Sequence, residues 1–283
     1  MTMSLEGQKI LITGGNSGIG FEAAKAFIAL GAQVIIAARP SRKTETALHA
    51  LGSSASHIPV DLADLTSVRQ LATTYLERHE TLNVLVNNAG LFPPKQKLTE
   101  QGFEMQFGVN HLSHFLLTQL LLPMMIQQGP ARVVTVSSML HKKAKLDFNS
   151  FKGDSQYNAQ KAYGQSKLAN VLFAYELAER LAHTQVTSNV LHPGGVATDI
   201  VRDMPWLIRA LFGLIFISPE KGAKTTVMLG ADPTLAQTTG TYFDQCKEAS
   251  PTSDANNLVL RQQLWEYSLT ATGLTADHFE AQH

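Results

Sequence analysis

The feature that most constrains the fold is an alternation. Short apolar runs rich in β-formers, KILIT (9–13), QVIIAA (33–38), HIPV (57–60), NVLVNN (83–88), RVVTVS (132–137) and VTSNVLH (186–192), are separated by helix-length stretches such as 18–30, 64–79, 104–127 and 160–183. Strand–helix–strand order repeated in this way implies an α/β chain with a parallel sheet and helices on both faces. Strands that are apolar almost throughout fit a sheet buried on both sides. With 44% hydrophobic and 16% charged residues, a chain of 283 residues can bury the core that such a sheet needs. Ligands in these sheets collect at the carboxyl ends of the strands, so the motifs that carry chemistry are expected just after the apolar runs.

The first such motif is TGGNSGIG (13–20), which follows KILI and opens the helix FEAAKAFIAL. Gly14, Gly18 and Gly20 leave room for a tight turn, for close approach of backbone to a pyrophosphate, and for helix–strand packing. Asn16, Ser17 and Ile19 lie in the same loop, and the free N–H groups at the helix start point at the phosphates. With a strand before it, a helix after it and a full βαβ unit around it, the cluster reads as a dinucleotide site and not as an ordinary glycine turn. The end of the second strand, IIAARPSRK (35–43), bears on which dinucleotide. An acid at this place would bind the adenosine ribose hydroxyl and repel a 2′-phosphate. Ala38 stands there instead and Arg39 follows, able to grip a phosphate in a bidentate manner, with Ser41, Arg42 or Lys43 as helpers. NADP(H) is therefore the expected cofactor.

A second signal is YNAQKAYGQSK (157–167), which holds the pattern Tyr-x-x-x-Lys twice, as Tyr157 with Lys161 and Tyr163 with Lys167. Residues four apart share a helix face. An ammonium beside a phenol is expected to stabilise the phenolate and lower its pKa, which suits a tyrosine to proton transfer. The spacing alone leaves both tyrosines open.

Together TGGNSGIG, NNAG (87–90), Asn110, the serine pair 137–138 and Tyr-x-x-x-Lys resemble the short-chain dehydrogenase/reductase family over nearly the whole chain. The stretches VNHLSHFLLT (109–118), SSMLH (137–141), YGQSKLANVLF (163–173), LHPGGVATDI (191–200) and the tail motif TGTYFDQCKEASPTS are most similar to the retinol-dehydrogenase-like branch. The resemblance implies a single-domain Rossmann fold over 1–283, a doubly wound parallel sheet of about seven strands with helices on both faces. It implies hydride transfer between NADP(H) and a carbonyl or alcohol on a small, apolar substrate. The family pattern continues past the lysine as Ser-Lys-x-Ala-Asn, which SKLAN (166–170) matches after Tyr163 and nothing matches after Tyr157. On a continuous helix Tyr157 would stand about 600° of rotation earlier and point away from the site. Tyr163 is thus the expected acid. Lys167 assists it and binds the nicotinamide ribose, Ser138 fixes the substrate oxygen, and Asn110 holds a water that relays protons from Lys167. The resemblance further places Asp61 and Leu62 at the adenine, Asn88, Ala89 and Gly90 along the adenosine ribose, and Pro193, Gly194 and Thr198 over the nicotinamide and pyrophosphate.

Ser138 and Tyr163 are 25 positions apart, wider than the commonest family spacing, and the insert HKKAKLDFNSFKGDS (141–155) is expected to wall one side of the substrate pocket. His141 at its start is a candidate substrate contact. His111, His114 and His192 read as packing or helix-end residues, and no cluster of His, Cys and carboxylates has metal-ligand spacing. The apolar run WLIRALFGLIFI (206–217) is half the length of a membrane span and is interrupted by Arg209, so it reads as a helix over a buried pocket before it reads as a segment touching membrane. Residues 196–217, with Trp206 lining an apolar pocket, are expected to form a substrate lid.

The 23 basic and 23 acidic residues cancel, which argues against a nucleic-acid partner. Cys246 is the only cysteine, and MTMSLEGQKI lacks the layout of a signal peptide, so a reducing, cytoplasmic setting is expected. The family habit of pairing subunits through two long helices, here 104–127 and 160–183, gives a homodimer or homotetramer as the expected assembly. Two alternatives share the motifs. One is an NADP(H)-sensing binding protein without turnover, disfavoured by the intact Asn110, Ser138, Tyr163 and Lys167. The other is a tetrapyrrole reductase, disfavoured because Cys246 lies in the tail, far from the Tyr–Lys helix.

Overall fold

The computed structural model describes residues 3–194 and 218–275. Strand β1 (Lys9–Thr13) lies between β2 (Gln33–Ala38) and β4 (Val84–Asn87), parallel to both, with Ile10 opposite Val34 on one side and Val84 on the other. Strand β3 (Ala55–Pro59) extends the sheet beyond β2, while β5 (Ala131–Val136), β6 (Val186–His192) and β7 (Tyr242–Asp244) extend it beyond β4, all parallel. The two-residue β8 (Lys247–Glu248) closes the edge antiparallel to β7. The spatial order is β3-β2-β1-β4-β5-β6-β7-β8. The fold is thus the doubly wound one that the alternation implies, with seven parallel strands and one short antiparallel edge among the described residues.

Side-chain alternation along the strands divides the core in two. Ile10, Ile12, Val34, Ile36, Val84, Val86 and Val134 face α1 (Gly18–Ala29) and α6 (Pro219–Ala231), with Leu51 of α2 (Arg42–Leu51) at the margin. Leu11, Ile35, Leu85 and Val133 face α3 (Leu65–Arg78), α4 (Met105–Gln128), α5 (Ala159–Arg180) and α7 (Leu258–Thr272). Helix α4 is long and apolar enough to cross a membrane, but Phe107, Leu112, Phe115, Leu116 and Met125 bury it inside the protein, so it is a core helix. One π-turn, Gly108–Leu112, interrupts it near its start.

The expected route to subunit pairing meets an obstacle. Helix α5 is buried from Ala162 to Ala178 except at Tyr175, and α7 of the same chain covers it together with α4. Trp265 of α7 packs edge-on to Phe115 of α4 with ring centroids 5.0 Å apart and stacks on Phe173 of α5 at 6.1 Å. Ser268 hydrogen-bonds His111 at 2.9 Å, and Arg180 lies 4.4 Å over the Trp265 ring. The chain's own C-terminal helix thus covers part of the face that these two helices would offer a second subunit. The expected lid at 196–217, with Thr198 and Trp206, and the membrane contact considered for 206–217 lie outside the described residues.

Candidate active site

The strand order reverses between β1 and β4, and this opens a crevice at their carboxyl ends. Thr13, the last residue of β1, is its hub. Its hydroxyl accepts the backbone N–H groups of Asn88 and Ala89, both at 3.0 Å, and its own hydrogen goes to His114 Nε2 at 2.8 Å. His114 Nδ1–H donates to the Asn110 carbonyl at 3.1 Å, which fixes a neutral ring, and burial pushes its pKa down to about 4. Asn88 returns a bond from Nδ2 to the Thr13 carbonyl at 2.8 Å. The glycine loop, the NNAG segment and the π-turn of α4 are thereby tied into one unit. The motifs TGG and NNAG mark the place, but the sequence pattern gives Thr13 no role of its own. A hydroxyl on the last strand residue before the glycine turn is the signal that would have found it.

Glycine is required in this loop for different reasons at different positions. Gly14 (φ +67°) and Gly18 (φ +54°) adopt left-handed conformations. A Cβ on Gly20 would lie 2.5 Å from both the Gly14 carbonyl oxygen and Asn88 Nδ2. The loop between them, Asn16 and Ser17, is partly open to solvent, whereas Ile19 is buried in the core. Ser17 stands at the N-cap of α1 in extended conformation and makes no side-chain cap, so the first N–H groups of the helix are free to meet an anion. The loop is anchored sideways by Asn16 Nδ2, which donates to Thr44 Oγ1 at 2.9 Å. Thr44 donates in turn to the Arg39 carbonyl at 2.8 Å.

Ala38 ends β2 at 7% exposure and Arg39 emerges beside it into solvent. Ser41 is used as the N-cap of α2, accepting from Thr44 N–H at 3.2 Å, so of the proposed helpers it is already occupied. Asp61 lies exposed just beyond β3, where its carboxylate accepts from Ala63 N–H at 3.0 Å, and Leu62 packs against the core behind it.

The ends of β4, β5 and α5 converge next. A Cβ placed on Gly90 would meet Lys167 Nζ at 3.4 Å and Asn110 Oδ1 at 3.5 Å, so a bare backbone here brings these two groups to one point. Lys167 Nζ donates to the Val136 carbonyl at 3.0 Å and lies 5.7 Å from the Tyr163 ring centroid. Ser137 Oγ bonds the Lys167 carbonyl at 2.8 Å, and Asn170 Nδ2 shares the Val136 carbonyl at 3.1 Å. Ser138, half-buried at the start of the next turn, lies close enough to the Tyr163 phenol to act on its titration. Phe92 packs edge-on to the Tyr163 ring at 5.2 Å. Asn110 sits in the π-turn, a feature that recurs at functional sites. Its Oδ1 accepts from Leu91 N–H at 2.9 Å and its Nδ2 donates to Ser166 Oγ at 3.0 Å.

Burial dominates the titration of this group. It pushes the Tyr163 phenol up to about 12, with Ser138 acting the other way, and it pushes Lys167 down to about 8. The expectation that Lys167 brings the phenol pKa down is therefore reversed in the protein alone, because removal from water costs the phenolate more than its neighbours return. The Tyr163 phenol is protonated at neutral pH.

Tyr157 lies elsewhere. It precedes the N-cap of α5, Asn158, so it is not on that helix at all. Its hydroxyl donates to the Pro93 carbonyl at 3.2 Å and accepts from Gln106 Nε2 at 2.8 Å, binding three segments together. His141 is a correction. It is fully buried and both ring nitrogens are engaged by backbone, so the ring is not presented to a substrate. Pro193 and Gly194 follow β6 directly and are buried, with Gly194 at φ +88°. His111 and His192 are held neutral by burial, down to about 3 and about 4.

A glycine turn at the point where the strand order reverses, with a buried phenol and ammonium beyond it, is the layout of an oxidoreductase working with a nicotinamide nucleotide. Residues 8–205 match the family model described as short chain dehydrogenase, and the chain belongs to the short-chain dehydrogenase/reductase family, in its retinol-dehydrogenase-like branch. It is similar to human (Homo sapiens) retinol dehydrogenase 14, at 40% identity over 95% of this chain and 88% of that one. A crystal structure from Mycobacterium paratuberculosis superposes with a TM-score of 0.80 at 32% identity, covering 96% of each chain. The Pseudomonas aeruginosa RhlG/NADP active-site complex does so at 0.70 and 28% identity, covering 85% of this chain and 95% of that one. The family acts on CH–OH groups and their carbonyls with NAD(P).

Proposed function

We propose that the protein interconverts an apolar aldehyde or ketone and the corresponding alcohol with NADP(H), using Tyr163 as general acid and base. The observation that carries this reading is the meeting of Tyr163, Ser138 and Lys167 beside Gly90, at the mouth of the crevice that Thr13 organises. The residues present fit the cofactor: α1 offers uncapped N–H groups for the pyrophosphate, Gly20 leaves the space the loop needs, and Arg39 stands free of the core where a 2′-phosphate would lie. Asp61 and Leu62 would flank the adenine, Asn88, Ala89 and Gly90 the adenosine ribose, and Pro193, Gly194 and Thr198 the nicotinamide side. NADPH, when bound, supplies the hydride.

The chain does the rest. Negative charge developing on the carbonyl oxygen is met by the Ser138 hydroxyl and by the proton of Tyr163. A phenol held near 12 gives up its proton only to a strongly basic oxygen, which couples proton donation to charge development. Lys167, charged at neutral pH, stabilises the phenolate left behind and would bind the nicotinamide ribose. Both hydrogens of Asn110 Nδ2 are engaged, so a relay water would be held through the oxygens of this residue, the Oδ1 beside Gly90 or the backbone carbonyl.

An apolar substrate is supported by Met139 and Leu140, exposed at 47% and 41% directly after Ser138, and by the name of the retinol dehydrogenase relative. A cytoplasmic setting belongs to the same reading, supported by the exposed free thiol of Cys246. The test is a panel of carbonyl compounds followed by loss of NADPH or NADH absorbance. Consumption of NADPH with apolar aldehydes or ketones, and weak consumption of NADH, is the expected result. No turnover across the panel together with tight NADPH binding would favour a nucleotide sensor instead.

A further inference from the structure

The turn after Ser138 carries two exposed apolar residues, Met139 and Leu140, and then one that is completely enclosed, His141. Its ring is held from both ends. Nδ1–H donates to the Ser138 carbonyl at 2.6 Å, and Nε2 accepts the backbone N–H of Thr252 at 3.2 Å. A carbonyl only accepts and an amide N–H only donates, so the ring is neutral and of one tautomer, with no nitrogen left for acid–base work. The Tyr242 ring packs against it with centroids 5.0 Å apart. Two residues past Thr252, Asp254 forms an ion pair with Lys145 at 2.9 Å. The segment around Thr252 is thus fastened to the 138–145 turn at two points, across more than a hundred residues of sequence. The Ser138 carbonyl also accepts the His141 backbone N–H at 3.0 Å, and Leu140 N–H reaches Ser138 Oγ over a long 3.4 Å.

We propose that His141 is a positioning residue for Ser138, clamping its backbone to the C-terminal segment at Thr252 so that its hydroxyl stays aimed at the Tyr163 phenol. The inference rests on the role proposed above for Ser138. It adds that the tail beyond β8 takes part in the reaction at second hand, and that removing one ring should be felt at the serine and not at the cofactor.

The experiment uses the full chain, NADPH and an aldehyde that the wild-type protein consumes, with kcat, KM and NADPH Kd for each variant. His141→Ala should lower kcat on the order of tenfold or more, as a misplaced catalytic group does, and leave NADPH Kd unchanged. His141→Asn, which can still offer an N–H to the Ser138 carbonyl, should recover most of the loss. Thr252→Pro removes the N–H together with a side chain that makes no cap bond, and keeps φ, because Thr252 already stands at −65°, the value proline imposes; it should lower kcat partially even if His141→Ala fails to fold. In a Ser138→Ala background, His141→Ala should add nothing further. Hydrogen exchange gives a readout apart from turnover: the Thr252 amide should be protected in the wild type and lose that protection in His141→Ala. Additive losses in the double variant, full activity of both His141→Ala and Thr252→Pro, or a fast-exchanging Thr252 amide in the wild type would each overturn the proposal. An undiminished kcat in Ser138→Ala alone would instead sink the role of the serine, and this inference with it.

Discussion

Between Thr13 and Gly20 the chain meets its ligand with backbone and empty space, whereas between Ser138 and Lys167 it does so with ionisable side chains pressed into the core. In the first region the polar groups are neutral and mutually bonded: the buried Thr13 hydroxyl and uncharged His114 ring, and the half-buried Asn88 amide. In the second, Tyr163 and Lys167 are both displaced from their ordinary pKa values by burial. The contrast shows where each region is vulnerable. Added volume should damage the first and leave its pH response alone, while changes of charge or pH should damage the second and leave its shape alone.

The largest effect should come from Tyr163→Phe, which keeps the ring and removes the proton. Reduction should fall on the order of a thousandfold or more, the worth of a general acid, with NADPH Kd nearly unchanged. Tyr157→Phe should keep most activity, since its hydroxyl bonds only Gln106 of α4 and its loop neighbours, away from Lys167. A dead Tyr157→Phe would erase the distinction between the two tyrosines.

Lys167 gives the next largest effect, and it is a pH dependence. Its ammonium titrates near the ordinary 10.5 when unfolded and at about 8 in the fold. From pH 8 to 10 the unfolded chain holds a proton that the folded chain has released, so stability rises with pH across that window, by on the order of 3 kcal/mol. Tyr163 opposes this only above pH 10, where the unfolded phenol ionises and the folded one does not. Urea midpoints of wild type and Lys167→Met, compared at pH 8 and 9.5, should differ in slope; parallel curves would show that burial of the lysine costs nothing.

Gly20→Ala probes the other region. Its Cβ meets backbone at 2.5 Å, and overpacking of this kind costs about 2 kcal/mol. Cofactor affinity should drop with it, and the midpoint shift should be the same at pH 7 and pH 9. Arg39→Ala should have the smallest effect: about 1.5 kcal/mol off NADPH binding, a charge-assisted hydrogen bond, with NADH unaffected. Equal losses for both nucleotides would make Arg39 structural.

Much of this was legible in the sequence because the parallel sheet writes its strands as continuous apolar runs. The six runs and the helices at 18–29, 65–78, 105–128 and 159–180 fall within three residues of their expected bounds. What escaped has physical reasons. Helix α2 begins with Arg42 and Lys43 and reads as a charged loop, β7 is three residues long, and α7 is hidden in a tail legible only as motif. Within the site, glycine and asparagine spacing marks the nucleotide crevice, since backbone geometry admits few residue types. The orientation of His141 and the raised phenol of Tyr163 depend on what is packed around them, including Thr252, which no local pattern supplies.

The packing of α7 over α4 and α5 also decides how the protein responds to dilution. Where a neighbouring subunit braces the proton-transfer helix, the brace comes and goes with protein concentration. Here Trp265 and Ser268 are tethered to the helices they support, so the brace is present at any concentration. Specific activity should therefore stay level from micromolar down to nanomolar protein.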